Sequence, residues 1–96
     1  MLKQKPYPIR GVCESRCFWQ AVVTNSCFYP DAVIDIHAPV NASTGQLNQL
    51  AADILISETK SPGVQHYLKD NGAGYRVSFA RLTGQDPINM GVPACR

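Results

Sequence analysis

The stretch Ser43-Thr44-Gly45-Gln46-Leu47-Asn48-Gln49-Leu50-Ala51-Ala52-Asp53-Ile54-Leu55-Ile56-Ser57 carries the most regular hydrophobic pattern in the chain. Leu47, Leu50, Ala51, Ile54 and Leu55 recur at i, i+3, i+4, i+7 and i+8, the spacing of one face of an α-helix. Ser43 and Gln46 stand at capping-box spacing, each able to bond the other's backbone amide. The pattern predicts a helix over about 44–58, with Asn48, Gln49, Asp53 and Ser57 on its polar side. No other segment promises a helix long enough to cover a sheet, so the stripe is read as core. On that reading Leu50→Ala opens a cavity costing about 2–5 kcal/mol.

Toward the C-terminus, Ser61-Pro62 is an N-cap and first-turn pair. Val64, Tyr67 and Leu68 have helical spacing, and Asn71-Gly72 offers a left-handed stop. A short second helix over about 62–70 is expected, with a strand turning through Asn71-Gly72 as the alternative. Tyr75 to Leu82 alternates and predicts a strand with Tyr75, Val77 and Phe79 inward; the tail from Thr83 reads as irregular. Toward the N-terminus, residues 32–38 alternate Ala32-Ile34-Ile36 against Val33-Asp35-His37. The run from Cys17 to Thr24 is rich in β-branched and aromatic residues and predicts a strand, with Cys17, Trp19, Ala21 and Val23 as its core face. These two form a hairpin across the loop 25–31. Residues 1–11, with Pro6, Pro8 and Gly11, read as an extended arm that packs late or stays mobile. The expected fold is a single α+β domain over 1–96: a small antiparallel sheet, one main amphipathic helix on one face, and the short helix 62–70.

Composition supports one compact domain, since 96 residues with 45% hydrophobic and 17% charged side chains exceed the apolar content of disordered chains. No apolar run reaches membrane-spanning length. Nine Lys and Arg against seven Asp and Glu leave +2, too small an excess to imply duplex nucleic acid. The charges are segregated, however. Residues 1–16 and 60–96 are basic, whereas 17–59 hold Asp31, Asp35, Asp53 and Glu58 with no Lys or Arg. Either the ends lie against the middle and offset its charge, or the two ends form a basic patch. In the second case nucleic acid would bind through Lys3, Lys5, Arg10, Arg76 and Arg81.

Four cysteines, one of them penultimate, suit disulfides that pin a fraying end. Met1 to Gly11 lacks the apolar core of a signal peptide. Asn41-Ala42-Ser43 fits an N-glycosylation acceptor, although the capping box gives Ser43 a simpler role. An oxidised extracellular domain is the favoured reading, with reduced intracellular and metal-stabilised domains as alternatives. A straight segment between Cys17 and Cys27 keeps Cys27 from both Cys13 and Cys17. Even a helix there would separate Cys17 from Cys27 by about 15 Å, whereas a disulfide tolerates about 4.4–6.8 Å between Cα atoms. Cys13–Cys17 and Cys27–Cys95 remain.

Chemistry-bearing patterns are sparse. Cys13, Cys17, Cys27 and His37 lack the paired spacing of zinc knuckles. Neither His37 nor His66 has a neighbourhood that would build a nucleophilic site with Cys27. His66 is expected on a helix surface and His37 half-buried beside Trp19. Asn71-Gly72-Ala73-Gly74 reads as a turn rather than a phosphate loop, and Asp31 and Asp35 as solvated. No catalytic residue, metal or cofactor is expected. Phe28 and Tyr29, in a loop before Pro30, are candidate recognition aromatics.

In its length, low charge, even cysteine number and C-terminal cysteine, the chain resembles small secreted effector or toxin-like proteins of fungi and other microbes. The resemblance implies a non-enzymatic protein that binds a host or competitor molecule, most simply a protein. The alternative is an intracellular regulator or inhibitor of the phage or mobile-element kind, binding protein or nucleic acid through its basic ends.

Overall fold

The computed structural model describes residues 5–95, and it is built on two small sheets and four helices. The first sheet pairs β1 (Tyr7–Ile9) in parallel with β3 (Ser26–Phe28), and Ala94 bridges to the other side of Phe28. In the second sheet, β4 (Val33–Ile36) lies between β2 (Val12–Glu14), to which it is parallel, and β5 (Ala80–Thr83), to which it is antiparallel. The α+β class therefore holds, but the sheet is mixed rather than wholly antiparallel.

The segment read as the first strand is instead α1 (Arg16–Val23). Its apolar residues serve either geometry: Phe18, Trp19, Ala21 and Val22 have helical spacing, and all four are buried. Position decides between them. The Cys13–Cys17 disulfide brings β2 and the first helical turn to a Cα separation of 5.2 Å, and Ser15 between them turns the corner at φ 24. The Trp19 indole then donates to the His37 carbonyl at 3.0 Å, tying α1 to the chain beyond β4. No hairpin joins 17–24 to 32–38. Between the parallel β2 and β4 run α1 and β3, the kind of crossover that parallel pairing requires.

The helix expected over 44–58 is α2 (Gln49–Ser57), and its cap is Asn48, whose side chain accepts from the Ala51 amide at 3.0 Å. Ser43 and Gln46 do not form the capping box. Asn41 organises that segment, accepting from the Ser43 amide at 3.0 Å and its hydroxyl at 2.7 Å, and Gly45 follows at φ 70, outside helical geometry. Nor does the whole of the expected stripe face inward, for Leu47 is only half-buried and Leu50 and Ile54 turn outward. Ala52 and Ile56 are buried, Ala51 and Leu55 half-buried, and Leu50 and Ile54 are 70% and 48% exposed. The core does not need the Leu50 side because α1 and α3 (Pro62–Lys69) also fill it. In α3, Ser61 caps the Val64 amide with Pro62 in the first turn, and Val64 and Leu68 are fully buried, as the spacing predicts.

Tyr75–Leu82 corrects the register of the last strand. Ala73–Tyr75 is a 3-10 turn, and only Ala80–Thr83 pairs with β4, placing Leu82 beside Ile34 and Ala80 beside Ile36. This inverts the expected faces, leaving Val77 and Phe79 44% and 68% exposed. The tail read as irregular contains α4 (Gln85–Asn89), seated closely because Gly84 lacks a side chain. A Cβ at Gly84 would stand 1.8 Å from the Tyr29 carbonyl oxygen. Cys27–Cys95 then fastens the tail to β3. No helix among the described residues is long and apolar enough to cross a membrane.

Candidate recognition surface

A strand turns alternate side chains to opposite faces, so the buried face of the three-stranded sheet defines its outer one. Cys13, Ile34 and Ile36 point into the core at 1% exposure or less. Val12, Glu14, Val33 and Asp35 therefore point outward, together with Arg81 and Thr83 of β5. The register arranges them in rows. Val12, Val33 and Thr83 form one, and Glu14, Asp35 and Arg81 the next. Beyond them, Phe79 stacks edge-on against the His37 ring at 4.6 Å between centroids. Phe79 and Arg81 border a shallow depression of about 360 Å³ with Glu14 and Asp35.

Arg81 grips Asp35 with two hydrogen bonds, Nε at 2.8 Å and Nη2 at 3.2 Å. These bonds, and secondarily the guanidinium charge, hold the Asp35 carboxyl below its ordinary range and raise Arg81. Glu14 adds to the field that raises Arg81. The result is a face with a row of two valines and a threonine, a charged row containing two carboxylates and one guanidinium, and an aromatic edge. Such a mixture of exposed apolar and directional polar groups suits recognition of another surface.

The expected binding residues are dispersed. Phe28 is fully buried in β3, so it cannot contact a partner: Pro93 and Cys95 flank it, and the supposed loop begins only after it. Tyr29 is half-buried and joins Arg10, whose guanidinium lies 4.6 Å from the ring centroid and donates to the phenol oxygen at 3.0 Å. Arg76 bonds back to the Asn71 carbonyl. Lys5 is exposed, beside a cleft of about 580 Å³ that also touches Tyr7 and Gln20. Lys3 lies outside the described residues. Arg10 and Tyr29, which the sequence offered separately as a basic contact and a recognition aromatic, are brought together by the fold. The outer sheet face was missed, because Phe79 was assigned inward and Val12 was assigned to no element.

Cys13 is joined to Cys17, and Cys27 to Cys95, with Cα separations of 5.2 and 5.0 Å. These sulfurs offer no thiolate, which removes both the Cys–His nucleophile and the cysteine-ligated zinc reading. His37 is half-buried beside Trp19, while His66 is exposed and pairs with Asp70 at 2.6 Å. No family model matches the chain, and no curated protein or solved structure is found to be similar to it.

Proposed function

We propose that this is a small extracellular, non-enzymatic binding protein of the effector or toxin-like kind, which recognises a protein target through the outer face of its three-stranded sheet. The observation that carries the reading is Phe79, 68% exposed at the edge of a face that also shows Val12 at 65%. A small domain gains nothing in its own stability from holding such side chains in water. They become favourable when a partner covers them. Two disulfides support the oxidising setting, because both would be reduced in an ordinary cytosol. The basic-end alternative has less support, since Arg81 is already paired with Asp35 and Arg76 with its own turn.

The test has two arms. Thiol titration of the denatured protein from its natural source is expected to find no free thiol, and four free thiols would refute the extracellular reading. Labelled protein applied to candidate target cells or secretions is expected to bind, and Phe79→Ala combined with Val12→Ser to reduce binding at least about tenfold, as truncation of two apolar anchors does. Equal binding by this variant, with an unchanged circular dichroism spectrum, would refute the sheet face as the recognition surface.

A further inference from the structure

We propose that Asn41 is an N-glycan acceptor, an inference that rests on the extracellular reading above. The motif Asn41-Ala42-Ser43 has the acceptor pattern, and in the sequence its serine had a competing role as a helix cap. The fold removes that competition, because Asn48 caps α2. Ser43 is instead committed to Asn41 itself: its amide and hydroxyl both donate to the Asn41 Oδ1, at 3.0 and 2.7 Å. This leaves the amide nitrogen Nδ2, the atom that must react, without a hydrogen-bond partner among the described residues.

The loop is also open on every side a glycan would need. Residues 41–46 are all exposed. Their backbone bonds are local: Asn41 donates to the Gln46 carbonyl, and Thr44 and Gly45 donate to the Asn41 carbonyl. The Val40–Leu47 bridge and the bond from Asn48 to the Pro39 carbonyl close its base. The loop's own backbone bonds thus involve neither the disulfides nor the two sheets, and a bulky group on the exposed Asn41 points away from the core. In the transfer, Nδ2 attacks the anomeric carbon of an oligosaccharide carried on a lipid diphosphate. The new carbon–nitrogen bond forms as the anomeric carbon–oxygen bond breaks. The lipid diphosphate leaves with the electron pair, and the amide proton passes to a base of the transferase.

The full chain, secreted by eukaryotic cells, is the test. It is expected to run as a heavier species that an amidase cleaving the Asn–sugar bond converts to a single lighter one, with Asp at position 41. Asn41→Gln and Ser43→Ala are expected to abolish the heavier species, and Ser43→Thr to retain it. Secreted chain with no free thiol and an unmodified Asn41 would overturn the glycan proposal while leaving the extracellular reading intact. Chain bearing four free thiols would overturn both.

Discussion

One substitution made at two leucines reads out the orientation of α2. Leu68 on α3 is fully buried, whereas Leu50 on α2 is 70% exposed, although both sit at hydrophobic positions of amphipathic segments. Leu→Ala removes three carbons, worth about 0.8 kcal/mol each when fully buried, or about 2.4 kcal/mol in all. At Leu68 the void adds about 24 cal/mol per Å³, so about 60 Å³ left unfilled brings the cost to roughly 4 kcal/mol. At Leu50 only about a third of the transfer term applies, and the better helix propensity of alanine offsets about 0.2 kcal/mol, leaving about 0.5 kcal/mol. For a domain of this size 1 kcal/mol moves the thermal midpoint by about 4–8 °C. Under non-reducing conditions, circular dichroism melts should therefore show a fall of about 15–30 °C for Leu68→Ala and of about 5 °C or less for Leu50→Ala. A Leu68→Ala chain already unfolded at room temperature meets the same expectation. Equal losses, or a larger loss at Leu50, would refute the reasoning by placing the Leu50–Ile54 ridge in the core.

Replacing Cys27 and Cys95 by Ala should cost about 4 kcal/mol, and replacing Cys13 and Cys17 about 2 kcal/mol, because the first bridge spans 68 positions and the second only 4. Urea denaturation that ranked the two double variants the other way would contradict this. The Tyr75 phenol donates to Asp53 Oδ1 at 2.6 Å, and that bond raises its pKa above the ordinary tyrosine value. Its stabilising contribution is complete below that ordinary value and disappears as pH rises through the higher folded one. Ultraviolet titration should show a late-ionising phenol that Asp53→Asn abolishes, and a titration curve unchanged by Asp53→Asn would discount the bond. Gly84→Ala should cost about 3 kcal/mol or more, since its Cβ would meet the Tyr29 carbonyl at 1.8 Å, whereas Gly11→Ala, at φ 67 in open space, should cost only about 1–2 kcal/mol. Comparable midpoints for the two glycine variants would argue against the close approach of Gly84 to Tyr29.

Local chemistry made α3 legible in the sequence. Ser61, Pro62 and the Val64–Leu68 spacing all name the same helix, and no distant contact is needed to choose it. The alternation in β4 was legible for a similar reason, because Ile34 and Ile36 occupy the strand at the centre of its sheet. Phe18, Trp19 and Val22 were ambiguous: their composition suits a strand, and only the Cys13–Cys17 staple and the indole bond to His37 fix them as α1. For Val77 and Phe79 the alternation was real but reported the wrong face. Pairing with β4 begins at Ala80, so registry with a strand 46 positions earlier, as Arg81 stands to Asp35, decides which residues turn inward. That same registry assembles the outer face, which explains why the candidate site was less legible than the fold class.

The placement of Ala94 beside Phe28 sets a condition on biogenesis. Strand β3 receives its neighbours from opposite ends of the chain, Tyr7–Ile9 on one side and Pro93–Cys95 on the other. Until the chain has been made as far as Cys95, 68 positions after Cys27, that second neighbour does not exist, whereas Cys13 and Cys17, 4 positions apart, can already meet and leave Cys27 a thiol without its native partner. The waiting thiol can attack the bridge already made, so premature oxidation favours isomers that must later be reshuffled. Native closure waits for the 68 positions that separate Cys27 from Cys95, requires pairing across them, and belongs to the slow class of topologies. A cell making this protein is therefore expected to depend on a disulfide isomerase more than on an oxidant, and its yield to be limited by the joining of Cys27 to Cys95.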